Sequence, residues 1–121
     1  MALAVTAASM SSISASAVYR SGKLWLGVSS ATAYINFTPT TYYWCGNCGD
    51  DYNVHYTSVE AFAYKSNGGY DYGFNSSYVW YLESCVLHNK ARYSRCSSKN
   101  HGEAWNNSMQ GYVYRDLTLN V

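Results

Sequence analysis

The chain has 121 residues, the length of one domain, and its formal net charge of +1 excludes a strong electrostatic attraction to nucleic acid. Charged residues make up 12% of the sequence and aromatic residues 17%, with 14 tyrosines. Together with many Ser, Thr, Asn and Gly residues, this composition favours strands over long helices.

The first 17 residues differ in composition from the rest. They carry no charge, contain a short apolar run and end with the small residues Ala15 and Ala17, a spacing typical of a signal-peptide cleavage site. We therefore predict a signal-peptide-like segment at residues 1–17 and a secreted, extracellular β domain at 18–121. A helix of small residues or a disordered arm is the alternative. No stretch approaches the roughly 20 apolar residues of a membrane span, so no transmembrane segment is predicted.

The first clear strand lies at residues 31–37. Ala31, Ile35 and their neighbours of the same parity are apolar and alternate with more polar residues, which is the period of a half-buried strand, and Pro39 ends it. Residues 42–44 then lead into a turn rich in Gly, Asn and Asp.

A hairpin around Asn67 and Gly68 is the most specific local pattern. Residues 54–65 and 70–74 are rich in strand formers, and Asn-Gly between them favours a type I′ turn. Aromatic residues alternate along both arms, so each arm would carry a row of rings on one face.

The later segments complete an all-β fold. Residues 78–82 form a continuous apolar run, which predicts a strand buried on both faces, and residues 112–121 predict a final strand. Residues 96–102 are interpreted as a loop. The pattern predicts a small antiparallel β-sandwich or barrel of six to seven short strands. The tryptophans expected in the core are Trp25, Trp80 and Trp105.

The cysteines are Cys45, Cys48, Cys85 and Cys96. An even number in a short exported chain predicts two disulfides that staple the fold, with three possible pairings that all stay open. A zinc site formed by Cys45, Cys48, Cys85 and His88 is one alternative, and free or redox-active thiols are another. Residues 85 and 88 would point to opposite faces of a strand, so no metal is predicted.

No motif indicates catalysis. Asp50 and Asp51 are adjacent in a turn, which is typical of turn formers. His55, His88 and His101 are separated and stand in no Ser, Cys or metal motif. We therefore predict neither catalytic residues nor a cofactor, and expect no enzyme; the oligomeric state stays open.

A binding surface is predicted from aromatic and basic residues. Planar rings with a polar edge suit stacking against sugars or other envelope components, and a basic stretch favours anionic polymers. The candidate binding residues are Tyr42, Tyr43, Trp44, Tyr70, Tyr72, Lys90 and Arg92.

Three short segments resemble the lactococcin 972-like secreted bacteriocins of Gram-positive bacteria. Residues 22–29, with Trp25 and Gly27, are similar to the Gly-rich opening of that family. Residues 88–91 and 102–105 are similar to its His-x-x-Ala strand and its Gly/Ala-Trp strand. The chain differs from the family in its longer mature region, its four cysteines and its Tyr-rich hairpin. The resemblance implies a small β-sandwich that antagonises other cells at their envelope.

Three functions follow as hypotheses. The first is a bacteriocin-like antagonist at a cell envelope, and the second is a carbohydrate-binding or adhesive module. For both, the expected partner is a cell-envelope component or glycan. The third is a structural subunit of an extracellular layer or fibre.

Overall fold

The computed structural model describes residues 18–38, 42–88 and 93–121, without the Tyr42 side chain. The signal-peptide-like segment 1–17, its predicted cleavage site, Lys90 and Arg92 lie outside the described residues. The strands are β1 (Val18–Leu26), β2 (Ser29–Thr38), β3 (Tyr42–Gly49), β4 (Val54–Tyr64), β5 (Tyr70–Ser77), β6 (Ser84–His88), β7 (Arg95–Asn106) and β8 (Gly111–Asn120). In this part of the chain there is no helix that is long and apolar enough to cross a membrane.

The strands form two antiparallel sheets. The first sheet has the order β1-β2-β3-β6 and the second the order β5-β4-β7-β8. The predicted all-β sandwich is therefore confirmed, with eight strands among the described residues and not six or seven.

Alternating side chains from both sheets fill the core. The predicted inward face of β2 is confirmed, because Ala31, Ala33, Ile35 and Phe37 are all buried. On the second sheet, small residues such as Ala61 and Ala63 face them. Burying a large apolar side chain contributes roughly 1.5–3 kcal/mol, so these faces hold the sheets together.

A polar contact also crosses the core. Asn47 on β3 and Asn100 on β7 are buried, and Asn47 Nδ2 donates to Asn100 Oδ1 at 3.0 Å and to the Ser58 carbonyl at 2.7 Å. Asn100 Nδ2 donates in turn to the Leu117 carbonyl at 3.1 Å. Buried amides need such partners, so this contact favours one alignment of the two sheets.

The predicted hairpin is confirmed and its turn type is wrong. β4 and β5 pair antiparallel, with Phe62 opposite Tyr72 and Tyr64 opposite Tyr70. Gly68 has a φ of 94°, whereas Asn67 is not in the positive-φ region that a type I′ turn requires. The Lys65 amide donates to the Gly69 carbonyl at 2.8 Å, which closes a longer turn.

Two segment predictions are wrong. Residues 78–82 form turns and not a buried strand, because the Ser77 hydroxyl accepts from the Val79 amide and the Leu82 amide donates to the Val79 carbonyl. Residues 96–102 are not a loop but part of β7. The sequence pattern did not predict this central strand, because several of its inward residues are small or polar and not apolar.

Two of the three tryptophans predicted to be in the core are exposed. Trp25 is 63% exposed, because its neighbours Leu24 and Leu26 take the inward positions of β1. Trp80 lies in the β5–β6 connection and is also exposed, whereas Trp105 is half-buried.

The prediction of a disulfide-stapled fold is wrong for this structure, in which Cys45, Cys48, Cys85 and Cys96 are free thiols. Cys45 and Cys48 stand three residues apart on β3 and therefore point to opposite faces. Cys85 lies opposite Gly46, on the outer side of the first sheet. Burial raises the pKa of the core thiols Cys45 and Cys96 to about 12, which makes both unreactive.

Candidate functional site

The predicted binding residues on β3 mostly serve packing. Tyr43 is fully buried, so its prediction as an exposed binding residue is wrong. Its hydroxyl donates to the Ser97 carbonyl at 2.6 Å and joins the two sheets, while burial raises its pKa. Trp44 points outward and lies against Tyr34, with ring centroids 4.7 Å apart. The Tyr42 side chain lies outside the described residues.

The predicted residues Tyr70 and Tyr72 are about half exposed on the outer face of the second sheet. Strand pairing gathers further rings beside them, since Phe62 is 5.2 Å from Tyr72 and Tyr64 is 5.8 Å from Tyr70 between centroids. Phe74 follows two residues after Tyr72 on the same face of β5, and we call the five rings the hairpin cluster: Phe62, Tyr64, Tyr70, Tyr72 and Phe74. The outer face of β5-β4-β7-β8, which contains it, is called the aromatic face.

Basic side chains from β7 border the hairpin cluster. The Arg95 guanidinium lies 3.9 Å from the Tyr64 ring centroid, and Lys99 Nζ lies 5.9 Å from that of Phe62. Both follow the predicted residues Lys90 and Arg92 in a stretch, residues 88–101, that contains no Asp or Glu. The pairing of β4 with β7 therefore brings aromatic and basic residues together at this end of the face.

An array of histidines and carboxylates lies further along the aromatic face. His101 Nδ1 is 2.6 Å from Asp116 Oδ1, and His101 Nε2 is 2.7 Å from Glu103 Oε2. His55 Nε2 is 3.3 Å from the other oxygen, Glu103 Oε1. Partial burial lowers the pKa of His101, but the hydrogen bonds that His101 donates to Glu103 and Asp116 outweigh it, so the pKa is raised. We call these four residues the carboxylate–histidine array.

A β-bulge completes the array. The pairing of β4 with β7 shifts between Val54 and Tyr56, so that His55 and Tyr56 both lie near Glu103. A bulge inserts one unpaired residue and redirects side chains, which explains why two neighbouring residues reach the same face.

Sequence reasoning missed the array because its histidines lie on different strands. The contact of His55 with Glu103 depends on the register of β4 against β7, and that of His101 with Asp116 on the register of β7 against β8, which no local pattern gives. A partial signal was present, because His101 and Glu103 are two residues apart and would share a face if the segment were a strand.

Two shallow depressions open on the aromatic face. The larger has a volume of about 360 Å³ and is lined by Ser58, Glu60, Phe74, Lys99, Asn100, His101, Asp116 and Thr118. The smaller, of about 310 Å³, is lined by His55, Tyr56, Tyr78 and Glu103. Within residues 18–38, 42–88 and 93–121, no group of three or more His, Cys, Asp or Glu side chains is arranged to hold a metal ion. The face offers rings and hydrogen-bonding groups, which suits binding.

The outer face of the first sheet has a different character. Asp50 accepts hydrogen bonds from Lys23 at 2.8 Å, Ser30 at 2.7 Å and Thr32 at 2.8 Å. Partial burial raises the pKa of Asp50, but these donors outweigh it and lower the pKa. Asp51 acts as the predicted turn former, since its Oδ1 accepts from the Asn53 amide at 3.0 Å.

Comparison of the chain with protein-family models, curated proteins and solved structures found no match. The resemblance to the lactococcin 972-like bacteriocins therefore stays a prediction from the sequence.

Proposed function

We propose that the protein is a secreted carbohydrate-binding module that holds a cell-envelope glycan on its aromatic face. The observation that carries this proposal is the hairpin cluster, whose rings lie side by side on the outside of a sheet. Sugar rings present apolar C–H faces that stack on aromatic side chains. Contiguous exposed apolar surface of this kind marks a binding site more often than chance.

Polar groups beside the rings support a glycan over a purely apolar ligand. Lys99 and Arg95 border the hairpin cluster, and Glu60 and Asp116 line the larger depression next to Phe74. Ligand sites combine apolar walls with a few polar groups that fix orientation, and sugar hydroxyls are matched by such donors and acceptors. The face therefore offers both kinds of contact that a sugar polymer requires.

Action at the envelope of another cell extends the proposal. The signal-peptide-like segment supports export, and the resemblance to bacteriocins implies that binding is followed by antagonism. Growth inhibition of Gram-positive cells by the purified chain tests antagonism separately from binding. A structural-subunit role requires self-association, which sedimentation at increasing protein concentration tests.

The binding experiment uses the full chain, a panel of soluble oligosaccharides and insoluble cell-wall polysaccharides. The double variant Tyr70→Ala/Tyr72→Ala should bind a positive glycan about tenfold or more weakly, since tenfold corresponds to about 1.4 kcal/mol. The matched control is Tyr19→Ala/Trp25→Ala, which removes two exposed rings from the outer face of the first sheet. It should change binding less than about twofold, and circular dichroism checks that both variants fold.

Two results would contradict the proposal. One is a wild-type chain that binds no glycan of the panel. The other is an equal loss of binding in both double variants, which would show that the aromatic face has no special part in it.

A further inference from the structure

The smaller depression on the aromatic face surrounds one carboxylate with aromatic rings. Glu103 lies opposite Tyr56 on β4 and opposite Tyr114 on β8. Tyr78, in the β5–β6 connection, closes a third side, with its ring centroid 4.8 Å from that of Tyr56 and the two planes at 50°. The tilted pair therefore forms an open wedge next to Glu103.

Glu103 lines this depression and can accept a further hydrogen bond. Its Oε2 is held by His101 at 2.7 Å, whereas Oε1 has only the longer contact with His55 at 3.3 Å. A carboxylate oxygen accepts two hydrogen bonds, so Oε1 has room for a further donor.

The charges around the depression favour a cation. When His101 is protonated and His55 is neutral, the two carboxylates of the array leave one net negative charge. The residues that line the depression include no Lys or Arg. Lys99 and Arg95 lie at the other end of the face, beside the hairpin cluster.

We propose that this depression binds the protonated amine of an amino sugar, within a glycan that is held by the aromatic face. This inference rests on the proposed function. The ammonium group donates to Glu103 Oε1 and is attracted to the faces of Tyr56 and Tyr78, as cations are in aromatic cages. The volume of about 310 Å³ is at the lower end of small-ligand sites, which suits one sugar unit.

The proposal predicts selectivity against the acetylated sugar. N-acetylation removes the positive charge and with it both the ion pair and the cation–π attraction. A ligand with a free amine should therefore bind more tightly than its acetylated counterpart of the same length.

The experiment compares two glucosamine oligomers of equal length, one fully N-acetylated and one fully de-N-acetylated, by calorimetric titration of the full chain at about pH 7, where amines are still largely protonated. We expect the de-N-acetylated oligomer to bind about tenfold or more tightly. Glu103→Gln should abolish this preference, while Glu83→Gln, which removes the same charge from an exposed position outside the depression, should retain it.

A second variant is needed because Glu103→Gln also changes the contacts of Glu103 with His55 and His101. Tyr78→Ala removes one wall of the wedge from an exposed connection and should weaken binding of the de-N-acetylated oligomer about threefold to tenfold. Tyr52→Ala is the matched control, since Tyr52 is equally exposed and does not line the depression. It should leave both affinities unchanged.

The outcomes separate the two proposals. Equal binding of both oligomers by the wild-type chain, or an unchanged preference in Glu103→Gln, would overturn the amino-sugar inference and leave glycan binding in place. Binding of a lysine-rich peptide without binding of any oligosaccharide would overturn both.

Discussion

Tyr34 on the first sheet and the hairpin cluster on the second are packed differently, although the first sheet also carries exposed rings such as Trp25. On the first sheet, Tyr34 is only 8% exposed, because its ring lies over Gly46 and beneath Trp44. A Cβ at position 46 would stand 2.5 Å from the Tyr34 hydroxyl, so the missing side chain makes this packing possible. On the second sheet, Tyr70 and Tyr72 lie opposite Tyr64 and Phe62 and not opposite a glycine, and their rings stay about half exposed.

The carboxylates on the two faces also differ in how many hydrogen-bond partners they have within the protein. Asp50, directly after β3, accepts from three neighbours, and each of its two oxygens has a donor at 2.8 Å or closer. On the second sheet, Glu103 has one oxygen with acceptor capacity left, beside a depression. The comparison teaches that the number of internal partners, more than residue type, separates packing surface from binding surface.

The largest expected effect concerns a buried and an exposed tyrosine. Tyr43→Ala should lower the free energy of unfolding by about 3–5 kcal/mol, because it leaves a cavity and removes the bond to Ser97 across the sheets. Tyr72→Ala should lower it by less than about 1 kcal/mol and instead weaken glycan binding. Urea denaturation measures both.

Tyr43→Phe covers the case in which Tyr43→Ala does not fold, and should cost about 1–2 kcal/mol through loss of the hydroxyl bond. Equal costs for Tyr43→Ala and Tyr72→Ala would show that the contrast between the two positions does not hold.

A smaller effect is expected on the outer face of the first sheet. Trp44→Ala should lower the free energy of unfolding by about 1–2 kcal/mol, because it uncovers the Tyr34 ring. Trp25→Ala, on the same face but exposed, should cost less than about 0.5 kcal/mol. Neither variant should change glycan affinity. A loss of affinity in Trp44→Ala alone would indicate that the glycan binds at β3, as the sequence predicted, and not on the aromatic face.

The smallest effects are in the pH dependence of stability. The raised pKa of His101 stabilises the fold below its ordinary value of 6.5, and this contribution is lost as the pH rises through the raised folded value. The lowered pKa of Asp50 stabilises the fold above 3.8, and this contribution is lost as the pH falls through the lowered folded value.

Urea midpoints measured across the acid and alkaline ranges separate these two contributions. His101→Gln should flatten only the alkaline side of the stability profile and Asp50→Asn only the acid side, each by less than about 1 kcal/mol because both groups are partly exposed. A change on the same side in both variants would contradict the assignment.

The alternation of apolar and polar residues predicted those strands whose two faces differ in burial. The inward face of β2, the hairpin arms and the final strand all alternate in sequence, and the structure confirms them. This alternation shows which side chains of a strand share a face, but not which face is turned towards the core. It separates Tyr43 from Trp44 but does not say which of them faces the other sheet, and the structure shows that it is Tyr43.

Long-range pairing accounts for what the sequence did not reveal. β7 looked like a loop because its inward residues include Ser98 and Asn100, whose partners come from other strands. The candidate site was half predicted: Tyr70 and Tyr72 follow from the hairpin, whereas the array depends on the register of β4 against β7. The disulfide prediction was based on expected export and on the even number of cysteines, and neither says whether two cysteines lie close enough to pair.

The bulge between Val54 and Tyr56 indicates how the aromatic face could differ between related chains. Val54 faces the core and Tyr56 faces outward, although both have even numbers, so the alternation changes phase at His55. A change of length by one codon at this point is therefore enough to redirect a side chain to the opposite face. Chain length, and not only substitution, is a variable by which a flat sheet acquires or loses a pocket.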